Sequence, residues 1–166
     1  MSGGMLFLHK LINLMQMSFL NDLFIGLDAA KQDDLQERLD IVAHKIKFMD
    51  KMPVACLDAA NNPNYALAEE IALAGGMVES DILSAVFVIY YQPGKTLSDL
   101  MREVPSVLGT DWQAVKNNRI ILLNDDVNRE RSAENAVSLI EDMAEMLHPG
   151  SFIFGHEGDK WIRFGA

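Results

Sequence analysis

The run Ala85-Val86-Phe87-Val88-Ile89-Tyr90-Tyr91 constrains the fold more than any other stretch of the chain. It is built of β-branched and aromatic residues without a charge, and Pro93-Gly94 stops it. Such side chains suit a pleated surface and lose rotamer freedom in a helix. A strand that is apolar at every position, not at every second one, is covered on both faces. The run therefore predicts a central strand of a parallel sheet with helices above and below.

Two shorter runs repeat the signal. Val54-Ala55-Cys56-Leu57 and Arg119-Ile120-Ile121-Leu122-Leu123 read as strands, and Asn124-Asp125-Asp126 ends the second. Helical stretches separate them. Residues 65–74 run into Gly75-Gly76, a helix stop. Residues 96–102 form a short helix. Ser132 caps a helix over 133–147 whose inner stripe is Ala136, Leu139, Ile140, Met143 and Leu147. This β-α-β-α-β-α order predicts a small, Rossmann-like, mostly parallel α/β sheet of at least three strands flanked by helices. The tail, 152–164, is aromatic and suggests a hairpin around Gly155 and Gly158.

Upstream, Leu6, Leu8, Leu11, Ile12, Leu14, Met15, Phe19, Leu20 and Leu23 give a broad apolar helical face over 5–23. A second helix starts at the acidic pair Asp33-Asp34, buries Leu35, Leu39, Val42, Ala43 and Ile46, and ends among Lys45, Lys47 and Lys51 before Pro53. Residues 1–51 read as a helical segment and 52–166 as an α/β lobe, together one structural domain. Polar residues interrupt 5–23 too often for a membrane span, and no basic start marks a secretion signal. The expected location is the cytoplasm, or the periplasm if a signal has been removed.

The net charge of −10 excludes nucleic acid as a natural partner and disfavours an anionic membrane. No phosphate-binding glycine loop and no Gly-x-Ser-x-Gly elbow is present. The single cysteine, Cys56, has two readings: a nucleophile with His44 or His148, or a small buried hydrophobe. The four histidines lie far apart in sequence, so no metal is expected. In a parallel sheet the loops after the strands emerge at one edge, where open α/β sheets bind ligands. Asn61, Asn62, Tyr90, Tyr91, Gln92 and Asp125 share that rim. Amides and phenols recognise by hydrogen bonding and stacking, and neither gains or loses a proton near neutral pH. The chain is read as a binding protein, not an enzyme. Tyr90 and Tyr91 point to opposite faces, and core packing beneath a helix competes with a ligand role for each.

Four stretches in order carry a resemblance: Val54-Ala55-Cys56-Leu57-Asp58 with its Pro-containing loop; Ala68-Glu69-Glu70-Ile71-Ala72-Leu73-Ala74-Gly75-Gly76; Trp112-Gln113-Ala114-Val115-Lys116-Asn117-Asn118-Arg119-Ile120; and Leu139-Ile140-Glu141-Asp142-Met143-Ala144-Glu145-Met146-Leu147-His148-Pro149 followed by Phe152. From about Leu20 onward the chain resembles the second lobe and joining helix of the cobalamin-type solute-binding proteins. These are the helical-backbone class that also binds siderophores. The resemblance implies residues 20–49 as the joining helix region, and a corrinoid or tetrapyrrole as ligand at the strand-end rim. Two features depart from the family. Arg129-Glu130-Arg131-Ser132-Ala133 replaces an Arg-Pro-Gly-Pro-Arg stretch, and in the short segment 77–85 Glu79 is the candidate for the carboxylate that docks on a permease. Docking on an ABC permease is therefore not carried over. The absent first lobe and the greasy 5–23 segment suggest a homodimer. An interaction scaffold that has lost its ligand, and a small enzyme, are the alternatives.

Overall fold

The computed structural model describes residues 18–125 and 132–165. Five strands form one sheet in the order β2-β1-β3-β4-β5. They are β1 Met52–Leu57, β2 Gly76–Val78, β3 Phe87–Tyr90, β4 Ile120–Leu123 and β5 Trp161–Phe164. The first four are parallel, and β5 pairs antiparallel with β4. Among the described residues the helices are α1 Ser18–Phe24, α2 Ala29–Ile46, α3 Ala68–Leu73, α4 Leu97–Glu103, α5 Gln113–Lys116 and α6 Ala133–Leu147. The fold is the mostly parallel α/β architecture expected.

Alternation along the strands divides the core in two. Val54, Cys56, Phe87, Ile89, Ile121, Leu123 and Trp161 face a layer made by α1, α2, α3 and α6. Ala55, Leu57, Val88, Tyr90, Ile120 and Leu122 face Leu100, Val104, Trp112 and Ala114 of the other layer. The register Val54↔Phe87 and Val88↔Ile120 keeps each set on its face. A slip of one residue would invert every side chain.

Helix α6 is the centre of the larger layer. Only Glu134, Asn135 and Ser138 escape full burial along it. Ser132 caps it, accepting from the Asn135 amide at 3.1 Å. Its buried carboxylates all find partners. Arg38 of α2 reaches Glu141 at 2.5 Å and Glu134 at 2.7 Å, and donates to Ser138 at 3.1 Å. The bond to Glu141, despite partial burial of the guanidinium, holds Arg38 firmly charged. His156 Nδ1 lies 2.7 Å from Asp142 Oδ1. The Phe154 amide donates to Glu145. Burial pushes the Asp142 carboxyl above its ordinary value, and His156 opposes this.

Several boundaries differ from the sequence reading. Asp28 caps α2, accepting from the Lys31 amide at 2.7 Å, so Asp33 and Asp34 lie inside the helix. Ala43 is exposed, off the buried stripe. The joining region breaks at Gly26, whose φ of +91° turns the chain between α1 and α2. Helix α3 is shorter than 65–74: the Ala66 amide donates to Asn64 Oδ1 at 3.0 Å, and Ala66 and Leu67 form a turn before the helix starts at Ala68. Gly76 opens an edge strand that was not expected, three residues being too few for a periodic signal. The tail forms no hairpin. Residues 149–160 wrap α6, held by the buried Phe152 and the carboxylates, before β5 joins the sheet edge. Residues 5–17 of the expected first helix, Asp126, and the Arg129-Glu130-Arg131 stretch lie outside the described residues.

Arg38→Ala should destabilise the protein by about 2 kcal/mol, because Glu141 would keep a largely buried charge without its partner. The double variant Arg38→Met, Glu141→Leu should recover most of that loss. Urea unfolding of the three proteins checks both, and an Arg38→Ala change under about 0.5 kcal/mol, the size of an ordinary surface substitution, would show that the bridge is incidental.

Candidate functional site

The strand order reverses direction between β1 and β3. From β1 the chain crosses through α3 to β2 on one side, then returns to β3 on the other side. Leu67 and Ile71, at and in α3, pack on one face of the sheet, while Leu100 of α4 and Ala114 of α5 pack on the other. The loops leaving β1 and β3 therefore diverge. The carboxyl ends of two such strands form the crevice where α/β sheets hold ligands.

All six residues expected at the rim lie at this edge. Asn61 and Asn62 follow β1, Tyr90 ends β3 with Tyr91 and Gln92 behind it, and Asp125 follows β4. Hydrogen bonds join them in two groups. On one face the Tyr90 hydroxyl donates to Asn61 Oδ1 at 2.7 Å, and Asn61 Nδ2 donates to the Val107 carbonyl at 2.7 Å. Asn61 adopts a φ of +65°, a region asparagine tolerates. On the other face the Tyr91 hydroxyl donates to Asp125 Oδ1 at 2.8 Å, and the Gly94 amide donates to Asp125 Oδ2 at 2.6 Å. Gln92 bridges the crevice, its Oε1 accepting from the Ala59 amide at 3.0 Å. Asn62 stays near Asp58, whose carboxylate accepts from the Ala60 and Asn62 amides at 2.9 Å each and from Asn62 Nδ2 at 3.1 Å. Slight burial raises the Asp58 pKa, but these donors outweigh it and hold the carboxyl below its usual value.

The tyrosine rings are core side chains, Tyr90 fully buried and Tyr91 9% exposed. Burial pushes the Tyr90 phenol well above its ordinary value, so it acts as a neutral donor. Tyr90, Tyr91, Asn61 and Asp125 are struts that fix the loops. The outward groups are Asn62, Gln92 and one residue the sequence reading did not single out, Tyr65, 55% exposed. Tyr65 lines a recess with Pro63, Glu79, Ser80 and Ile82, floored by Ala55, Cys56 and Leu57. Its signal was an aromatic directly after an Asn-Pro-Asn turn. Glu79, Ser80 and Ile82 could not be assigned to this edge without β2. The recess holds about 20 Å³, room for one water. A larger ligand would lie across the rim.

Burial pushes the Cys56 thiol up to about 12, which keeps it protonated and poorly nucleophilic. His148 sits at the opposite end of β1. A Cβ on Gly75 would come within 2.7 Å of its Nε2, and the Gly75 carbonyl accepts from the Met52 amide. Cys56 is four residues further along β1, about 13 Å at strand rise. The expectation of a small buried hydrophobe describes Cys56, and the pairing with His148 is not formed. Among the described residues no three His, Cys, Asp or Glu side chains converge as a metal site would need, and no helix is long and apolar enough to cross a membrane.

No family model matches the chain, and no curated protein matches it. Solved structures do. An ABC transporter substrate-binding protein from Listeria monocytogenes aligns with a TM-score of 0.61 at 19% identity, covering 82% of this chain and 64% of that one. The TroA-like periplasmic binding protein FepB from Veillonella parvula aligns at 0.53 and 16% identity, over 71% of this chain and 46% of its own. CeuE from Helicobacter pylori, in a nickel–histidine complex, aligns at 0.54 and 15% identity, over 82% and 51%. The chain spans less than two thirds of the length of each of these neighbours. Identities this low speak for the fold alone: the mostly parallel α/β fold expected is similar to part of the structure of these binding proteins.

Proposed function

We propose that the chain is a ligand-binding protein of the ABC-transporter solute-binding type, without enzymatic activity. The observation that carries this reading is the switch point between β1 and β3, with its loops tied down by internal hydrogen bonds and Tyr65 left exposed beside them. In this reading Asn62, Gln92 and Tyr65 touch the ligand, while Asn61, Tyr90, Tyr91 and Asp125 frame the rim. A rigid frame lowers the entropy cost of binding, and an exposed phenol ring suits stacking against a flat or macrocyclic partner.

The ligand class follows from the resemblance in sequence: a corrinoid, a tetrapyrrole or a siderophore-like chelate. Such a ligand exceeds the recess and needs a second wall opposite the rim, supplied by another chain. Residues 1–51 would serve as the helical joining segment and 52–166 as the lobe, and two copies would associate. A solute-binding role also favours the extracytoplasmic of the two expected locations, in line with FepB, which is a periplasmic protein. A second reading, an interaction scaffold that binds no small ligand, is favoured by one observation: Tyr90, Tyr91 and Asp125 already use their polar atoms on the protein itself.

Calorimetric and absorbance titrations with cyanocobalamin, haem and a ferric catecholate siderophore separate the two. The ligand reading expects micromolar binding of at least one. Tyr65→Ala should weaken that binding about tenfold, equivalent to roughly 1.4 kcal/mol, with little change in Tm. Tyr91→Phe should lower Tm by about 2–6 °C through loss of the Asp125 bond and leave affinity within about threefold, under 0.7 kcal/mol. No binding of any of the three ligands supports the scaffold instead, and binding untouched by Tyr65→Ala removes the rim as the contact surface.

A further inference from the structure

Helix α2 has two contrasting faces. Leu35, Leu39 and Val42 are buried in the core beside α6. On the opposite side Ala30, Asp33, Glu37, Ile41 and His44 recur at three- and four-residue spacing, all exposed, and Phe48 continues the line just past the helix. Large apolar side chains collect here. Ile41 is 51% exposed and Phe48 86%. Ile25, also exposed, shares a groove with Gln32, Asp33 and Gln36 near the first turns of α2. The exposed Ile153 follows Phe152, whose ring lies under Lys45.

Charge along this face is divided. Asp33, Asp34, Glu37 and Asp40 occupy the first half, where Lys31 and Arg38 are turned to Glu134 and Glu141 of α6, and Lys45, Lys47 and Lys51 occupy the second half and the stretch beyond, with Asp50 the one acid among them. The helix dipole accounts for the sign of this gradient, but not for the isoleucine and phenylalanine left in water along it. We propose that this face is the contact between two copies of the chain, α2 lying antiparallel on α2 of the second copy. Antiparallel stacking sets each acidic half over a basic half, whereas parallel stacking sets like over like. A two-fold axis near the centre of the helix pairs Ile41 with the stem of Glu37 of the other copy, and Phe48 with its Ala30. The contact runs the length of the helix, about 27 Å for 18 residues at 1.5 Å each. Its partner is a second copy and not an acidic or a basic peptide, because both complementary halves lie on this one helix. Two chains of net charge −10 repel at long range, so an interface that balances its own charge is the one they can share. This inference does not rest on the ligand reading, because none of Asn62, Tyr65 and Gln92 lies on α2.

Sedimentation equilibrium of the full chain tests it. The wild type should be a dimer with micromolar Kd, and Ile41→Arg should be monomeric with its Tm unchanged within about 2 °C, as for an ordinary surface substitution. The variants Asp33→Lys, Glu37→Lys and Lys45→Glu, Lys47→Glu should each self-associate at least tenfold more weakly than wild type. Mixed in equal amounts, they should regain a heterodimer, because each then offers the charge the other lacks. A monomeric wild type at about 100 µM, well above a micromolar Kd, would overturn the proposal. So would a dimer that survives Ile41→Arg, or two charge variants that fail to pair.

Discussion

Backbone N–H groups that leave a parallel sheet face no further strand, and each must find an acceptor elsewhere or remain solvated. The candidate edge is governed by this constraint. Asp58 takes the amides of Ala60 and Asn62, Gln92 takes that of Ala59, and Asp125 takes that of Gly94. Two of these acceptors tie different strand ends together. Gln92 joins the loop after β3 to the loop after β1. Asp125, after β4, holds both Gly94 and the Tyr91 hydroxyl. The rim is thus defined by side-chain acceptors, and its outward chemistry is whatever these bonds leave over.

Helix α6 imposes the second constraint. A helix buried on nearly every side has no solvent-facing stripe on which to put acidic residues, yet it carries Glu141, Asp142 and Glu145. Buried carboxylates are tolerated when paired. Arg38 brings α2 onto the helix, and the Phe154 amide with His156 brings the 149–160 segment across it. The tail therefore follows the carboxylates instead of turning back on itself, and reaches the sheet only at Trp161. A fold held this way combines the usual apolar core with ionic contacts that fix which segments cover which.

Much of this could be read from the residues. The doubly buried runs of β1, β3 and β4 are continuous apolar stretches, and Ser132 before the stripe of α6 is a cap with a mechanism. Their alternation gave the sheet and the edge at which loops collect. Three features carried too little signal. Strand β2 is three residues of Gly-Met-Val at an edge, without periodicity. Strand β5 depends on a long-range antiparallel pairing that local pattern does not encode. The tyrosines were expected near the rim, where they are, but alternation alone cannot tell a ring that reaches outward from one whose hydroxyl ends on Asn61 or Asp125. Tyr65 was assigned to a helix, and only the turn before α3 leaves it facing solvent.

The likeness to substrate-binding proteins concerns the fold, and similar folds host unrelated functions. What makes the edge a credible site is its preformed state, with loops fixed before anything binds. Native-state hydrogen exchange tests this directly, at the amides of Ala59, Ala60, Asn62 and Gly94. In the free protein all four should be protected, by about tenfold or more over unstructured rates. Exchange of these four at unstructured rates, with β1 and β3 still protected, would mean that the rim does not exist until something shapes it.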